Sequence, residues 1–249
     1  VSDSAYEIIA HRGFSARAPE NTLASLEAAM AAGARAVEFD VQVAACGTPV
    51  LFHDGMLSRT TDGAGPLRKR TLAQLKRLDA GSWYSAEFAG ETIPSLEEAL
   101  TTLRGRVGRV YLEIKGFHEL EDVDHMVAVV RATGTSGEVV YISLNWTTID
   151  RVRGQDPQAP VAYVIDHAER CDEAFERARG DASALLDFRA SLILDDPGLA
   201  RRAKRQDSDM VVWTVNDPVE AGVLAELGVR RFTTNEVEAL LAWAARPEG

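Results

Sequence analysis

Apolar stretches of strand length alternate with amphipathic stretches of helix length from one end of the chain to the other. The pattern predicts strands at Tyr6–His11, Ala36–Val43, Val110–Lys115, Val139–Leu144, Val161–Ile165, Ala184–Phe188, Val211–Val215 and Arg231–Thr234. Helical spacing follows most of them, at Thr22–Ala32, Asp122–Ala132, Trp146–Arg153, Cys171–Arg179, Gly198–Arg205, Val219–Leu227 and Glu236–Ala245. Strands separated by helices and short connections imply a parallel sheet with its helices outside. Eight such units in 249 residues match the size of a closed α/β barrel, the (β/α)8 or TIM barrel.

One interval breaks the alternation. From about residue 46 to residue 90 the chain is rich in turn residues (Pro49, Gly55, Gly63, Gly65, Pro66, Gly81) and carries a basic run at Arg68–Arg70, so it reads as a small insertion after the second strand. In a barrel such excursions lie over the C-terminal ends of the strands, where sites are built. A helix at Ser95–Leu103, with Ser95 and Glu98 in capping-box spacing, leads back to the third strand. No linker divides the chain, so residues 1–249 are expected to form a single domain.

Composition narrows the partners. With 27 Lys and Arg against 38 Asp and Glu, the net charge of −11 opposes binding to nucleic acid or to an anionic membrane surface. No apolar run is long enough for a spanning helix, so no stable membrane insertion is expected. Cys46 and Cys171 lack metal-type spacing and read as unpaired thiols of a reducing compartment. The localisation expected is cytoplasmic, with a periplasmic or secreted chain the alternative should a leader have been removed before Val1. A monomer or a small homo-oligomer fits the composition.

Four stretches put ionisable groups where strand interiors are normally apolar: Ala10-His11-Arg12-Gly13, Glu38-Phe39-Asp40-Val41, His53-Asp54 and Leu112-Glu113-Ile114-Lys115. Side chains two apart share a face of a strand. Phe39, Val41, Leu112 and Ile114 therefore pack under the helices, while Glu38, Asp40, Glu113 and Lys115 turn into the barrel. Crowded carboxylates resist ionisation unless a cation compensates, and an all-oxygen set suits one hard divalent ion, Mg2+ or Ca2+. The charges of Glu38, Asp40 and Glu113 are balanced by such an ion together with Lys115, which leaves Arg12 for one further negative charge. A phosphodiester carries one. His11 and His53 form a proton-transfer pair for cleaving it, since one group must deprotonate the nucleophile and another protonate the leaving oxygen.

Other features carry less chemistry. Asn21, in Pro19-Glu20-Asn21-Thr22, reads as the cap of the first helix. Gly63-Ala64-Gly65 reads as a turn, and Trp213, at the end of its strand, as either a pocket residue or a core residue. His118, His125 and His167 read as structural.

Taken in order, His11-Arg12-Gly13, Pro19-Glu20-Asn21-Thr22, Glu38-Phe39-Asp40-Val41, Pro49-Val50-Leu51-Phe52-His53-Asp54, Arg59-Thr60-Thr61, Leu112-Glu113-Ile114-Lys115 and Trp213-Thr214-Val215-Asn216 resemble the glycerophosphodiester phosphodiesterase family. The series runs from His11 to about Thr234. The resemblance implies a phosphatidylinositol-phospholipase-C-like barrel and a phosphoric diester hydrolase of lipid and glycerol metabolism, which converts glycerophosphodiesters to sn-glycerol 3-phosphate and an alcohol. It also implies that His11 and His53 are the acid/base pair, that Glu38, Asp40 and Glu113 hold the metal, and that Arg12 and Lys115 meet the phosphate; Trp213, from its place at the end of its strand, is the further candidate for substrate contact. The nucleophile is either a substrate hydroxyl or water. The sequence departs from the family pattern at Ala44-Ala45-Cys46-Gly47, at Ser143-Leu144-Asn145, and at Arg230–Asn235, where an Asp-Gly-Ile-containing run ending in Thr-Asp is usual. Two alternatives remain at this stage: phospholipase D-type hydrolysis of lysophospholipids or sphingomyelin, for which Trp83, Tyr84 and Phe88 offer some apolar surface, and a non-catalytic phosphodiester-binding module.

Overall fold

The computed structural model describes residues 6–246, so both ends of the expected 1–249 domain lie outside the described residues. The elements run β1 (Glu7–Ala10), α1 (Leu23–Ala31), β2 (Ala36–Val43), β3 (Pro49–Leu51), α2 (Leu72–Leu75), α3 (Leu96–Leu103), β4 (Arg109–Ile114) and α4 (Glu121–Ala132). They continue with β5 (Val139–Ser143), α5 (Trp146–Gln155), β6 (Val161–Ile165), α6 (Cys171–Ala178), β7 (Ala184–Arg189), α7 (Ala190–Asp195), α8 (Pro197–Gln206), β8 (Met210–Trp213), α9 (Pro218–Glu226), β9 (Arg231–Thr234) and α10 (Val237–Ala244).

Eight parallel strands close into a ring, β1-β2-β4-β5-β6-β7-β8-β9, with β9 returning to β1. This is the expected (β/α)8 barrel. The ninth strand, β3, stands outside the ring and pairs antiparallel with the overhanging end of β2, Val41–Val43 against Pro49–Leu51. The alternation did not foretell that hairpin, nor the short α7 between β7 and α8, because both are too short for a periodicity to show. Among the described residues no helix is long and apolar enough to cross a membrane.

The two-residue period of the strands sorts the side chains into two cores. Val37, Phe39, Val41, Leu112 and Ile114 join the layer between ring and helices. Ile9, Ala36, Tyr111, Val140, Ala162, Leu185 and Val211 fill the barrel interior. Below them, at the N-terminal end, Glu7 Oε2 receives Arg231 Nε at 2.9 Å and Arg109 Nη1 at 3.2 Å. That trio closes the floor.

The insertion has a core of its own, in which Val50, Phe52, Leu57, Leu67, Leu75 and Ile93 are fully or almost fully buried. His118 Nε2 bonds Ala44 O at 3.2 Å and His125 Nδ1 bonds Gly47 O at 2.9 Å, so both histidines fasten the β2–β3 turn. Gly63 packs on Leu78, where an added Cβ would lie 2.7 Å from that side chain, and Gly65 O accepts from Leu57 N. These glycines shape a turn of the insertion.

Candidate active site

The C-terminal ends of β1, β2 and β4 bring the predicted charged groups into one cavity of about 250 Å3. His11, Arg12, Glu38, His53, Glu113 and Lys115 line one side, and Ile142, Leu144, Val164, Asp187 and Trp213 line the rest. His53 arrives from the insertion, two residues past β3. Its backbone oxygen accepts a 2.8 Å bond from Gln42 Nε2 on β2, which ties the insertion to the ring beside the cavity.

The turn after β1 is built for close approach. Arg12 and Gly13 both have positive φ, 55° and 77°. A Cβ at Gly13 would sit 2.6 Å from the Ser25 backbone, so only glycine lets this turn press against α1. The geometry points the Arg12 amide at Glu38 Oε2, 2.9 Å away.

Glu38, Asp40 and Glu113 are buried, and each offers an oxygen within 4.8 Å of the other two. Glu38 Oε1 and Asp40 Oδ1 accept no hydrogen bond. Burial and then the charge of Asp40 raise the Glu38 pKa well above the ordinary carboxylate range. The same two causes raise Glu113 to about 7, against the pull of Lys115. Burial opposes ionisation of Asp40 too, but Arg12 and Lys115 outweigh it and lower its pKa. Three converging carboxylates with bare oxygens and mutual repulsion fit a hard divalent cation, which would occupy those oxygens and neutralise the repulsion.

Asn21 does something the sequence reading did not anticipate. The cap of α1 is Thr22, whose side chain accepts from Ser25 N. Asn21, at φ 58°, instead clasps Asp40: its Nδ2 donates to Oδ2 at 2.8 Å and its Oδ1 accepts from the Asp40 amide at 3.1 Å. A side-chain amide can make both bonds at once, which holds the carboxylate in one orientation.

The cations are already engaged. Lys115 Nζ lies 2.8 Å from Glu113 Oε1 and 3.6 Å from Asp40 Oδ1. Arg12 pairs with Glu20 at 2.9 Å and Asp40 at 3.2 Å, and Arg59 from the insertion binds both Glu20 and Asp54. Arg12 is therefore shared between two carboxylates, where charge counting from the sequence had left it unpaired.

The two imidazoles are oriented by unlike partners. His11 Nδ1 lies 2.7 Å from Asn235 Oδ1, which also accepts from Ser15 Oγ at 2.9 Å. An amide oxygen only accepts, so Nδ1 carries the hydrogen and Nε2, 3.9 Å from Glu38 Oε2, keeps its lone pair. Burial and the neighbouring Arg12 lower the His11 pKa to about 4, so the ring is neutral near pH 7. His53 Nδ1 instead meets Asp54 Oδ1 at 2.6 Å. A hydrogen bond from Arg59 holds the Asp54 pKa at about 2, which keeps a full negative charge beside that ring.

Trp213 lies at the end of β8 and lines the cavity, its Nε1 donating to Asp187 O at 3.2 Å. Asp187 itself, buried on β7, escaped the sequence reading, although a lone carboxylate inside the apolar run Ala184–Phe188 was a signal of the same kind as Glu113. Trp83, Tyr84 and Phe88 stack edge-on upon one another in the insertion and are not among the residues lining the cavity.

Residues 11–239 match the glycerophosphoryl diester phosphodiesterase family. A glycerophosphodiester phosphodiesterase of Caldanaerobacter subterraneus subsp. tengcongensis is 30% identical over 241 residues, covering 94% of this chain and 96% of that protein. The solved structure of a phosphodiesterase of Oleispira antarctica, in complex with the product sn-glycerol-3-phosphate, superposes with a TM-score of 0.89 at 32% identity, covering 96% of this chain and 97% of the other. A glycerophosphodiester phosphodiesterase of Agrobacterium tumefaciens superposes at 0.81 with 26% identity, over 97% and 100% of the two chains.

Proposed function

The chain belongs to the glycerophosphoryl diester phosphodiesterase family, and from that premise we propose that it hydrolyses glycerophosphodiesters to sn-glycerol 3-phosphate and an alcohol, with His11 as general base, His53 as general acid, and a divalent cation held by Glu38, Asp40 and Glu113. The observation that carries this reading is the juxtaposition of three buried carboxylates with two imidazoles whose Nδ1 atoms are both engaged as donors. Each ring then turns a free Nε2 to the chemistry.

The assignment of acid and base follows from their partners. A buried imidazole that is neutral near pH 7, with Nδ1 donating to an amide, offers an unprotonated Nε2 to a hydroxyl brought to it. In this reading the His53 imidazole, its Nδ1 held 2.6 Å from the Asp54 carboxylate, delivers the proton to the departing alkoxide. In this reading Lys115 and Arg12 bind the non-bridging phosphate oxygens, supported by their pairing with Glu113 and Asp40 at the cavity, and the share of their charge taken by those carboxylates would be returned when the carboxylates hold a cation. The bound cation supplies electrostatic polarisation of the phosphate. Trp213 forms part of the wall against which the substrate packs.

The decisive experiment measures glycerol 3-phosphate release from diesters with different head groups, with and without a chelator. Release that needs Mg2+ or Ca2+ and is lost on chelation is the expected result. Full activity after thorough chelation removes the metal from the scheme, and no release from any glycerophosphodiester removes the substrate. Cyclic glycerol phosphate in rapid-quench samples identifies a glycerol hydroxyl as nucleophile, whereas incorporation of labelled solvent oxygen without it identifies water.

A further inference from the structure

The ring topology places β7 opposite β2: four strand-to-strand steps separate them in either direction around the barrel. Glu38 on β2 thus faces Asp187 on β7 across the cavity. Asp187 is 3% exposed, shares the inward face of its strand with Leu185, and registers with Val164 on one side and Val211 on the other. It lines the cavity, and its Oδ1 has no hydrogen-bond partner. Burying a carboxyl oxygen among aliphatic side chains without a partner costs free energy, and a site keeps such a group when a ligand completes it.

We propose that Asp187 is a specificity-determining residue that hydrogen-bonds the terminal hydroxyl of the glycerol half of the substrate. The assignment rests on the functional reading above and extends it to the wall that the acid–base scheme leaves unused. The phosphate is held on the side of the cavity that carries Lys115, Arg12 and the carboxylates. His53, the proton donor to the leaving oxygen, comes from the insertion, so the departing alcohol points outward towards that insertion. The glycerol half is then directed inward, across the floor to β7. An enclosure of about 250 Å3 admits a small polyol there.

The chemistry of the wall favours a hydroxyl over a cation. Burial, followed by the charge of Glu113, raises the Asp187 pKa well above the ordinary range, and a neutral carboxyl both donates to and accepts from an alcohol.

The test compares two ligands of the metal-loaded protein by calorimetry: sn-glycerol 3-phosphate, and propane-1,2-diol 1-phosphate, which keeps the phosphate and the middle hydroxyl but lacks the terminal one. The wild type is expected to bind the first about tenfold more tightly, as one hydrogen bond to a buried partner provides. Asp187→Leu is expected to bring that ratio to about 1, and Asp187→Asn, which retains donor and acceptor atoms, to keep most of it. Equal affinities in the wild type overturn the assignment without recourse to any variant. An unchanged ratio in a folded Asp187→Leu protein also overturns it. So does a loss of turnover in Asp187→Leu confined to glycerophosphocholine, which would assign the carboxyl to a cationic leaving group. Release of glycerol 3-phosphate by the wild type is scored in parallel: its absence overturns the functional reading and this assignment with it, whereas its presence alongside an unchanged ratio overturns the assignment alone.

Discussion

The two ends of the barrel interior each hold a cluster of ionisable side chains, and the clusters are built on opposite plans. At the N-terminal end one carboxylate, Glu7, serves two guanidinium groups and the Tyr111 hydroxyl, and Arg231 has a second partner in Asp209 at 2.9 Å. At the C-terminal end three carboxylates crowd together, with two bare oxygens and too few free cations to balance them. A cluster whose bonds are complete holds the fold; one that stays incomplete in the folded chain awaits a ligand. Buried charge by itself does not separate structure from function, but the accounting of partners does.

That contrast can be broken most sharply at the histidines. His11→Ala and His53→Ala should each lower turnover by about 10²- to 10⁴-fold with the fold intact, as loss of general acid or base does. Steady-state kinetics beside circular dichroism checks this, and near-wild-type turnover in either variant takes that residue out of the scheme. Next in size is the clasp on Asp40: Asn21→Ala should weaken Mg2+ or Ca2+ binding by about 10- to 100-fold, the usual effect of losing the partner that orients a ligand. Calorimetric titration of the metal-free protein measures it, and unchanged affinity would return Asn21 to a mere turn residue.

The protonation state of the upper cluster gives a pH-dependent expectation. With Glu113 at about 7 in the metal-free protein, protons compete for a ligand oxygen below that pH, so metal affinity should fall about tenfold per unit as the solution is acidified from neutrality. The stability effect has the opposite sense. An ordinary glutamate titrates near 4.5, so between there and about 7 the native chain binds more protons than the unfolded one. The Glu113 contribution to metal-free stability therefore falls as pH rises through that window, against the opposite contribution of His11, whose lowered pKa adds stability as pH rises to about 6.5, and a bound cation offsets the Glu113 loss. Melting temperatures of the chelated wild type and of Glu113→Gln at pH 5 and pH 8 isolate the sign; a wild type that loses no more stability than Glu113→Gln between the two pH values would contradict the crowding.

The smallest effect belongs to the lower cluster. Glu7→Gln leaves two half-buried guanidinium groups facing each other and should cost about 1–2 kcal/mol, or a few degrees of melting temperature for a chain of this length, with turnover unchanged. A fall in turnover comparable with that of the histidine variants would end the division between the two ends.

The ring and the upper cluster were legible in the sequence because both obey a local rule. Alternation of strand and helix gives the barrel, and carboxylates two apart on a strand must share its inner face, as Glu38 with Asp40 and Glu113 with Lys115. What stayed hidden depends on contacts between distant segments. The bond from His11 to Asn235 joins positions 224 apart. Asn21 precedes a threonine that is itself a good cap, so local sequence cannot show that its amide turns to β2 instead. Asp187 could have been found, since it breaks an apolar strand, but with no second carboxylate two residues away it drew no notice.

The pocket's two imidazoles are mounted on different frames. His11 stands on the ring, while His53 is carried by a side structure with its own small apolar interior, stitched to the ring beside the cavity by the Gln42 amide and by the antiparallel pairing of β2 with β3. Mild heat or a protease that loosens the side structure would pull the two imidazoles out of step while the strands behind them still hold.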